Sequence, residues 1–438
     1  MKKILYACVA ASLLSGCGLF GKDALDIDGE RISVIREDKN LQPEFAAGQV
    51  KVKLPHALTN TAWTQSGMTS EHVGGHLKAG GNLDDIWSVS FGDGSSKRNT
   101  LVSSPIIFDQ KVMTIDAKGI VKAFDLNKGR QLWKRRLKHA NKEARKTSIA
   151  GGGLAAFGDK VFATTGFGKV FALSIDDGTI VWEQDIKSPI RIAPTVNEDL
   201  VIAQTLDNGL YALNINTGEI VWKDKQEAES TIMIGGAAPA YKPTADLVVA
   251  AFSNGQLQAY KASTGTPLWS EWLVSTARTD SMADITSVKA NPIIDETMVF
   301  AVGYNSPMIA VDIRTGVKLW QKDIAAASQP WSAGKFLFVL TTDGDLAALE
   351  KQTGKVVWTT IIPFAQSDEK AGIFASGPVL ANDALLVVSS NGKLFSVSPY
   401  NGRIMGVAEV EEGIETSPIM ADETLLLTTK DAEITAYK

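Results

Sequence analysis

The chain has 438 residues, 45% of them apolar and 21% charged, with a formal net charge of −5. That composition is globular and long enough to bury a large core, and its mildly acidic balance argues against non-specific nucleic-acid binding. Cys8 and Cys17 are the only cysteines, so residues 18–438 offer neither a disulfide nor a thiolate metal site.

Lys2 and Lys3 form a positive start, and Ile4 to Leu14 is an apolar run too short to span a bilayer. The run leads into Leu14-Ser15-Gly16-Cys17. This order of charge, apolar run, small residues and cysteine resembles a bacterial lipobox, which implies a leader over residues 1–16 cut before Cys17 and acylation of that thiol; an ordinary secretory leader with an incidental cysteine is the alternative. Lipidation accounts for the cysteine count, because Cys8 leaves with the leader and Cys17 is capped before meeting an oxidising compartment. Several acyl chains on one residue give a lasting anchor. Gly18 and Leu19 follow, with no aspartate beside the cysteine, which suggests the outer membrane, with the body on its periplasmic side. Residues 17–59 are polar and mixed in charge, and read as a lipidated N-terminus and flexible tether. An ordered strand around Arg31–Ile35 is the alternative.

From residue 60 to 438 the chain repeats itself. Its unit is a glycine turn, a strand, a second turn at Thr-Gly and a strand bearing tryptophan, as in Gly344–Trp358. Six tryptophans, Trp133, Trp182, Trp222, Trp269, Trp320 and Trp358, lie four residues after a glycine. Composition alone predicts about 0.9 such pairs, so the periodicity is real. The intervals of 49, 40, 47, 51 and 38 residues suit four short strands and their turns, the size of one propeller blade. A weaker copy has Gly402 at the turn and Gly406 where tryptophan would stand.

A Pro-bearing segment opens seven units, at Pro105, Pro194, Pro239, Pro292, Pro330, Pro378 and Pro418, and Gly153-Leu154-Ala155-Ala156 takes that place in an eighth. Runs apolar on both faces follow, such as Leu247–Phe252 and Phe336–Leu340, and blades on either side supply the cover they need. Ile86-Trp87-Ser88-Val89-Ser90 looks like a lone outer strand, while Ser417–Tyr437 supplies three strands and then stops. Pairing them closes the ring and removes two strand edges. The expected fold is therefore an all-β, eight-bladed propeller of four-stranded blades. The six tryptophans read as fold-determining. The segment holding Gly74, Gly75, Gly80 and Gly81 reads as loop.

Little else carries chemistry. His72 and His76 are spaced as on a helix, but Gly74-Gly75 between them opposes one, and no acidic ligand stands at metal-site spacing. Gly151-Gly152-Gly153 and Gly166-Phe167-Gly168-Lys169 do not match a phosphate loop. Lys134–Lys138 and Lys142–Lys146 read as a basic, solvated loop. No catalytic, cofactor-binding or metal-binding residue is assigned, and no enzyme activity is expected. Ile232-Met233-Ile234 places apolar residues in a connection between blades, and Thr279–Ile285 is the next long connection. Together they suggest an apolar and acidic contact patch, although Ile232–Ile234 also reads as the start of a strand. Capture of extended clients along a sheet edge is physically open to such a fold, but nothing in the sequence selects it.

A leader ending in Cys17, a tether and eight blades with Thr-Gly-x-x-x-Trp turns resemble the BamB family of outer membrane assembly factors. The turn is also similar to repeats of pyrroloquinoline quinone enzymes, whereas WD40 proteins fit less well because no aspartate follows the six tryptophans. The BamB resemblance implies a non-catalytic scaffold, monomeric within a hetero-complex, that binds POTRA domains of a barrel-forming subunit. It implies contact positions at Ile232, Met233, Ile234 and Asp284. Gly235 stands where the family often has arginine, and Thr286 where it has a second acidic residue. The alternatives are a quinone-dependent dehydrogenase, from which the missing vicinal cysteines detract, and a lipoprotein that binds a ligand in its central channel.

Overall fold

The computed structural model describes residues 41–46, 48–81, 83–96, 100–101, 103–138, 151–227, 236–273, 288–364 and 373–438. The repeat folds as eight four-stranded antiparallel sheets. Seven are continuous in sequence. Blade one, for example, runs Ile106–Phe108, Lys111–Ile115, Ile120–Asp125 and Gln131–Arg136 from innermost to outermost strand. Blades two to seven span residues 154–185, 195–225, 240–272, 293–322, 331–361 and 375–409. Blade eight is composite. Ile419–Ala421, Thr424–Thr428 and Glu433–Tyr437 are its inner strands, and Asp85–Ser90 pairs antiparallel with the last, Val89 opposite Ile434. The second strand of each blade is buried on both faces, as in Leu200–Gln204, Leu247–Ala251 and Phe336–Leu340. A strand buried in that way needs cover on both faces of its sheet, which neighbouring blades supply here.

The tryptophans join each blade to the next. Trp133, Trp182, Trp222, Trp269, Trp320 and Trp358 each donate an indole hydrogen bond to a carbonyl of the following blade, on Ile175, Ile215, Ala262, Ile313, Lys351 and Pro399, at 2.6–3.0 Å. Trp87 does the same from the composite blade to Leu126, at 2.9 Å. Each ring lies against the next blade's turn glycine, Gly129 under Trp87 and Gly265 under Trp222 among them. Those glycines adopt φ between +64° and +75°, a left-handed conformation that glycine enters without steric cost. Gly406 marks the one joint without an indole. The blade after it is the composite one, whose outer turn is missing because the chain's two ends meet there.

The segment that reads as loop does more than connect. Residues 60–80 reach every blade in turn. Trp63 exchanges backbone hydrogen bonds with Ile107 of blade one, at 2.7 and 2.8 Å, and Ala156 of blade two donates to the Thr64 carbonyl. The Gln65 amide bonds both backbone groups of Val196 in blade three. Tyr241 and Ile294, in blades four and five, donate to the carbonyls of Ser70 and Glu71. Gly75 donates to Ser332 in blade six, Leu77 to Leu380 in blade seven, and Gly80 to Glu423 in blade eight. The innermost strands have no further strand beside them, so these contacts satisfy edges that would otherwise face water.

The chain leading into this segment is also held. Glu44 bonds Val356 through its backbone, at 2.8 Å, and through its side chain, at 3.0 Å, and it forms an ion pair with Lys322. Val52 is buried in the core cluster of the last blades, with Val50 and Leu54 packed against it. The flexible tether expected through Thr59 is therefore docked over its described part. Its apolar residues at 50, 52 and 54 alternate, the period of a half-buried extended chain.

Candidate functional site

Where residues 60–80 cross the ring they close one end of a cavity of about 460 Å³. Trp63 and Gln65–Gly67 line its floor. Its walls come from residues just before or at the start of innermost strands, including Ser104 and Pro105, Asn291, Gln329, Ser376 and Ser417. The cavity thus opens on the face where each outer strand returns to the next inner strand. Lys289 and Glu415 are its only charged lining residues among those described.

A fixed polar network supports the floor. Asn291 accepts from the Ala238 backbone at 2.7 Å and donates to Ser66 Oγ and Gln329 Oε1, each at 2.9 Å. Gln329 in turn donates to the carbonyl of His72 at 2.9 Å. His72 is fully buried, with Nδ1 2.7 Å from the Pro292 carbonyl and Nε2 unpartnered among the described residues. Burial lowers its pKa from 6.5 to about 4, against the opposing pull of that carbonyl. His76 is also buried, between the Pro55 carbonyl at 2.8 Å and the Asp383 backbone at 3.1 Å. The two histidines therefore clamp the segment to different blades and do not converge. No group of side chains able to hold a metal occurs among the described residues.

A neutral folded His72 gives stability that is complete above pH 6.5 and lost as pH falls towards 4, because the unfolded chain binds the proton first. Roughly 2–3 kcal/mol should go by pH 4. His72→Asn places an amide where Nδ1 stood and suits the φ of +62°. It should flatten the pH dependence of the thermal midpoint between pH 6.5 and 4, and an unchanged slope would clear His72 of that role.

The residues expected to touch a partner, Ile232, Met233, Ile234, Gly235 and Asp284, lie outside the described residues, as does Cys17. Their flanks are described. Gly236 and Lys289, the first lining residues after the two connections, both border the cavity. Lys134–Arg136, read as part of a basic loop, instead ends the outer strand of blade one. Arg135 Nε donates to the Gly178 carbonyl at 2.6 Å. The floor segment carries no repeat that would mark it in the sequence. Trp63, a tryptophan with no repeat to belong to, is its one signal.

Residues 117–360, more than half of the chain, match the family model described as outer membrane protein assembly factor BamB. The chain belongs to that family. BamB proteins of Salmonella typhimurium and Escherichia coli K12 are each 28% identical to it, over 353 and 352 residues. The matches cover 80% of this chain and 88% and 87% of theirs. The crystal structure of BamB from Moraxella catarrhalis superposes with a TM-score of 0.67 at 18% identity, over 82% of this chain and 100% of that one. A quinohemoprotein alcohol dehydrogenase from Pseudomonas putida HK5 gives 0.66 at 14% identity, over 86% and 80%. At such identities these superpositions speak for the propeller fold alone, which BamB shares with the dehydrogenase.

Proposed function

We propose that this BamB-family chain is a non-catalytic scaffold lipoprotein of outer-membrane protein assembly. In this reading Cys17 carries the lipid, the propeller lies on the periplasmic face of the outer membrane, and it acts as one copy within a hetero-complex. Its principal partner is the POTRA-bearing, barrel-forming subunit, and it presents that subunit near unfolded client chains. Family membership carries the assembly role. The partner face rests on the connections holding Ile232, Met233, Ile234, Gly235 and Asp284, after which Gly236 and Lys289 border the cavity.

Co-purification from detergent-solubilised membranes tests the reading. A POTRA-bearing barrel subunit should be recovered with the protein, and its absence would overturn the scaffold role. Ile232→Asp combined with Ile234→Asp should cut that recovery about tenfold or more, the scale on which buried contact residues act. The thermal midpoint should stay in place. A lost unfolding transition would instead make these residues part of the core.

A further inference from the structure

The cavity holds a feature that the assembly reading does not explain. Lys289 is half-buried in its wall and makes no hydrogen bond or ion pair among the described residues. Behind the wall a second cation, Arg191, is 4% exposed. Its Nη2 donates to the carbonyl of the lining residue Thr100 at 3.0 Å, and its Nε has no partner among the described residues. Glu415 is the single described carboxylate of the lining, and it is exposed. Among the described residues, two buried or half-buried cations thus stand against one exposed carboxylate at this concave site.

We propose that the cavity is a binding site for an organic monocarboxylate, free or at the end of a peptide, with Lys289 as its counter-ion. The proposal goes beyond the assembly role and does not depend on it. Burial pushes the Lys289 pKa down, and Glu415 only partly restores it. An entering carboxylate offsets that disadvantage by favouring the charged ammonium. Glu415 limits the guest to one negative charge, because a dianion such as phosphate would meet a like charge at the rim. The floor is ready to donate. Ser66 Oγ already accepts from Asn291, which leaves its own O–H for the ligand. Asn291 and Gln329 are held by further hydrogen bonds, so binding orders little that is not already ordered. The volume falls within the usual range of small-molecule sites, roughly 300–1,000 Å³.

Isothermal titration of the intact protein provides the test. The probes are sodium lactate, N-acetyl-alanyl-alanine, the C-terminal amide of that dipeptide, and inorganic phosphate. Saturable binding is expected for at least one of the two monocarboxylates, and the tighter of them identifies a free acid or a peptide end. The amide and phosphate should bind at least about tenfold more weakly. Lys289→Met keeps the aliphatic stem and should weaken the carboxylate about tenfold or more, while Lys289→Arg stays within about threefold. The proposal fails if neither carboxylate saturates at concentrations on the order of 10 mM. It fails equally if the amide binds as well as the acid, or if Lys289→Met binds unchanged. Should Lys289→Met not fold, the acid-against-amide comparison on the unaltered protein still decides.

Discussion

Gly74→Val should strip residues 60–80 from the ring while the eight blades stay folded. A Cβ built on Gly74 would stand 2.1 Å from Cζ2 of Trp331 and 2.3 Å from its Cη2. The indole, which also borders the cavity, is held on two sides. It is 3% exposed, its Nε1 donates to the Gly75 carbonyl at 2.7 Å, and its ring packs on Trp63 at 5.9 Å between centroids. Overpacking alone costs about 1–3 kcal/mol. Loss of the hydrogen bonds that follow Gly74 brings the expected penalty to roughly 3–5 kcal/mol. Hydrogen exchange reads this directly, since the amides of Trp63, Gly75 and Leu77 should lose protection while those of the second strands keep theirs. Gly81→Val is the control, because nothing lies within 4 Å of a Cβ built there. Unchanged protection at Leu77 in the Gly74 variant would show that the segment does not depend on this joint.

That segment also shows where sequence reasoning stops. Blades are legible because burial on both faces and a fixed turn impose a pattern that recurs, so Trp133 and Trp358 announce the same contact 225 residues apart. The closing strand at Ile86–Ser90 is legible for the same reason, since it carries half of a repeat whose other half ends the chain. Residues 60–80 have no repeat and no period. Their partners are set by where eight innermost strands happen to end, so Thr64 meets Ala156 and Gly80 meets Glu423 without either pair being marked in the sequence. Glycines there read as loop, although Gly74 is required by the approach of an indole. Lys289 was equally silent. It is an ordinary lysine until the fold half-buries it in the cavity wall, where it makes no hydrogen bond or ion pair among the described residues.

The joints between blades make the second large prediction, because the same substitution should have opposite outcomes at two glycines. Gly265 has φ +72°, and a Cβ there would stand 2.6 Å from Cδ2 and 2.7 Å from Cγ of Trp222. A left-handed alanine costs about 1–2 kcal/mol, and crowding the indole adds roughly 1–3. The ring cannot yield easily. Its Nε1 donates to the Ala262 carbonyl at 2.6 Å, and it stacks on Tyr260 at 5.8 Å. Gly265→Ala should therefore cost about 2–5 kcal/mol, close to the roughly 3–5 kcal/mol expected for Trp222→Ala. The double variant should cost much less than their sum, because removing the indole removes the crowding. Gly406 occupies the equivalent of a tryptophan position at the joint with the composite blade, and a Cβ there meets nothing within 4 Å. Gly406→Ala, in the strand Ile404–Glu409, should be neutral or stabilise by up to about 1 kcal/mol, through the smaller entropy of its unfolded chain. Denaturant midpoints at constant slope measure all four variants. If Gly265→Ala and Gly406→Ala shift the midpoint equally, the indole-on-glycine contact is not what holds one blade to the next.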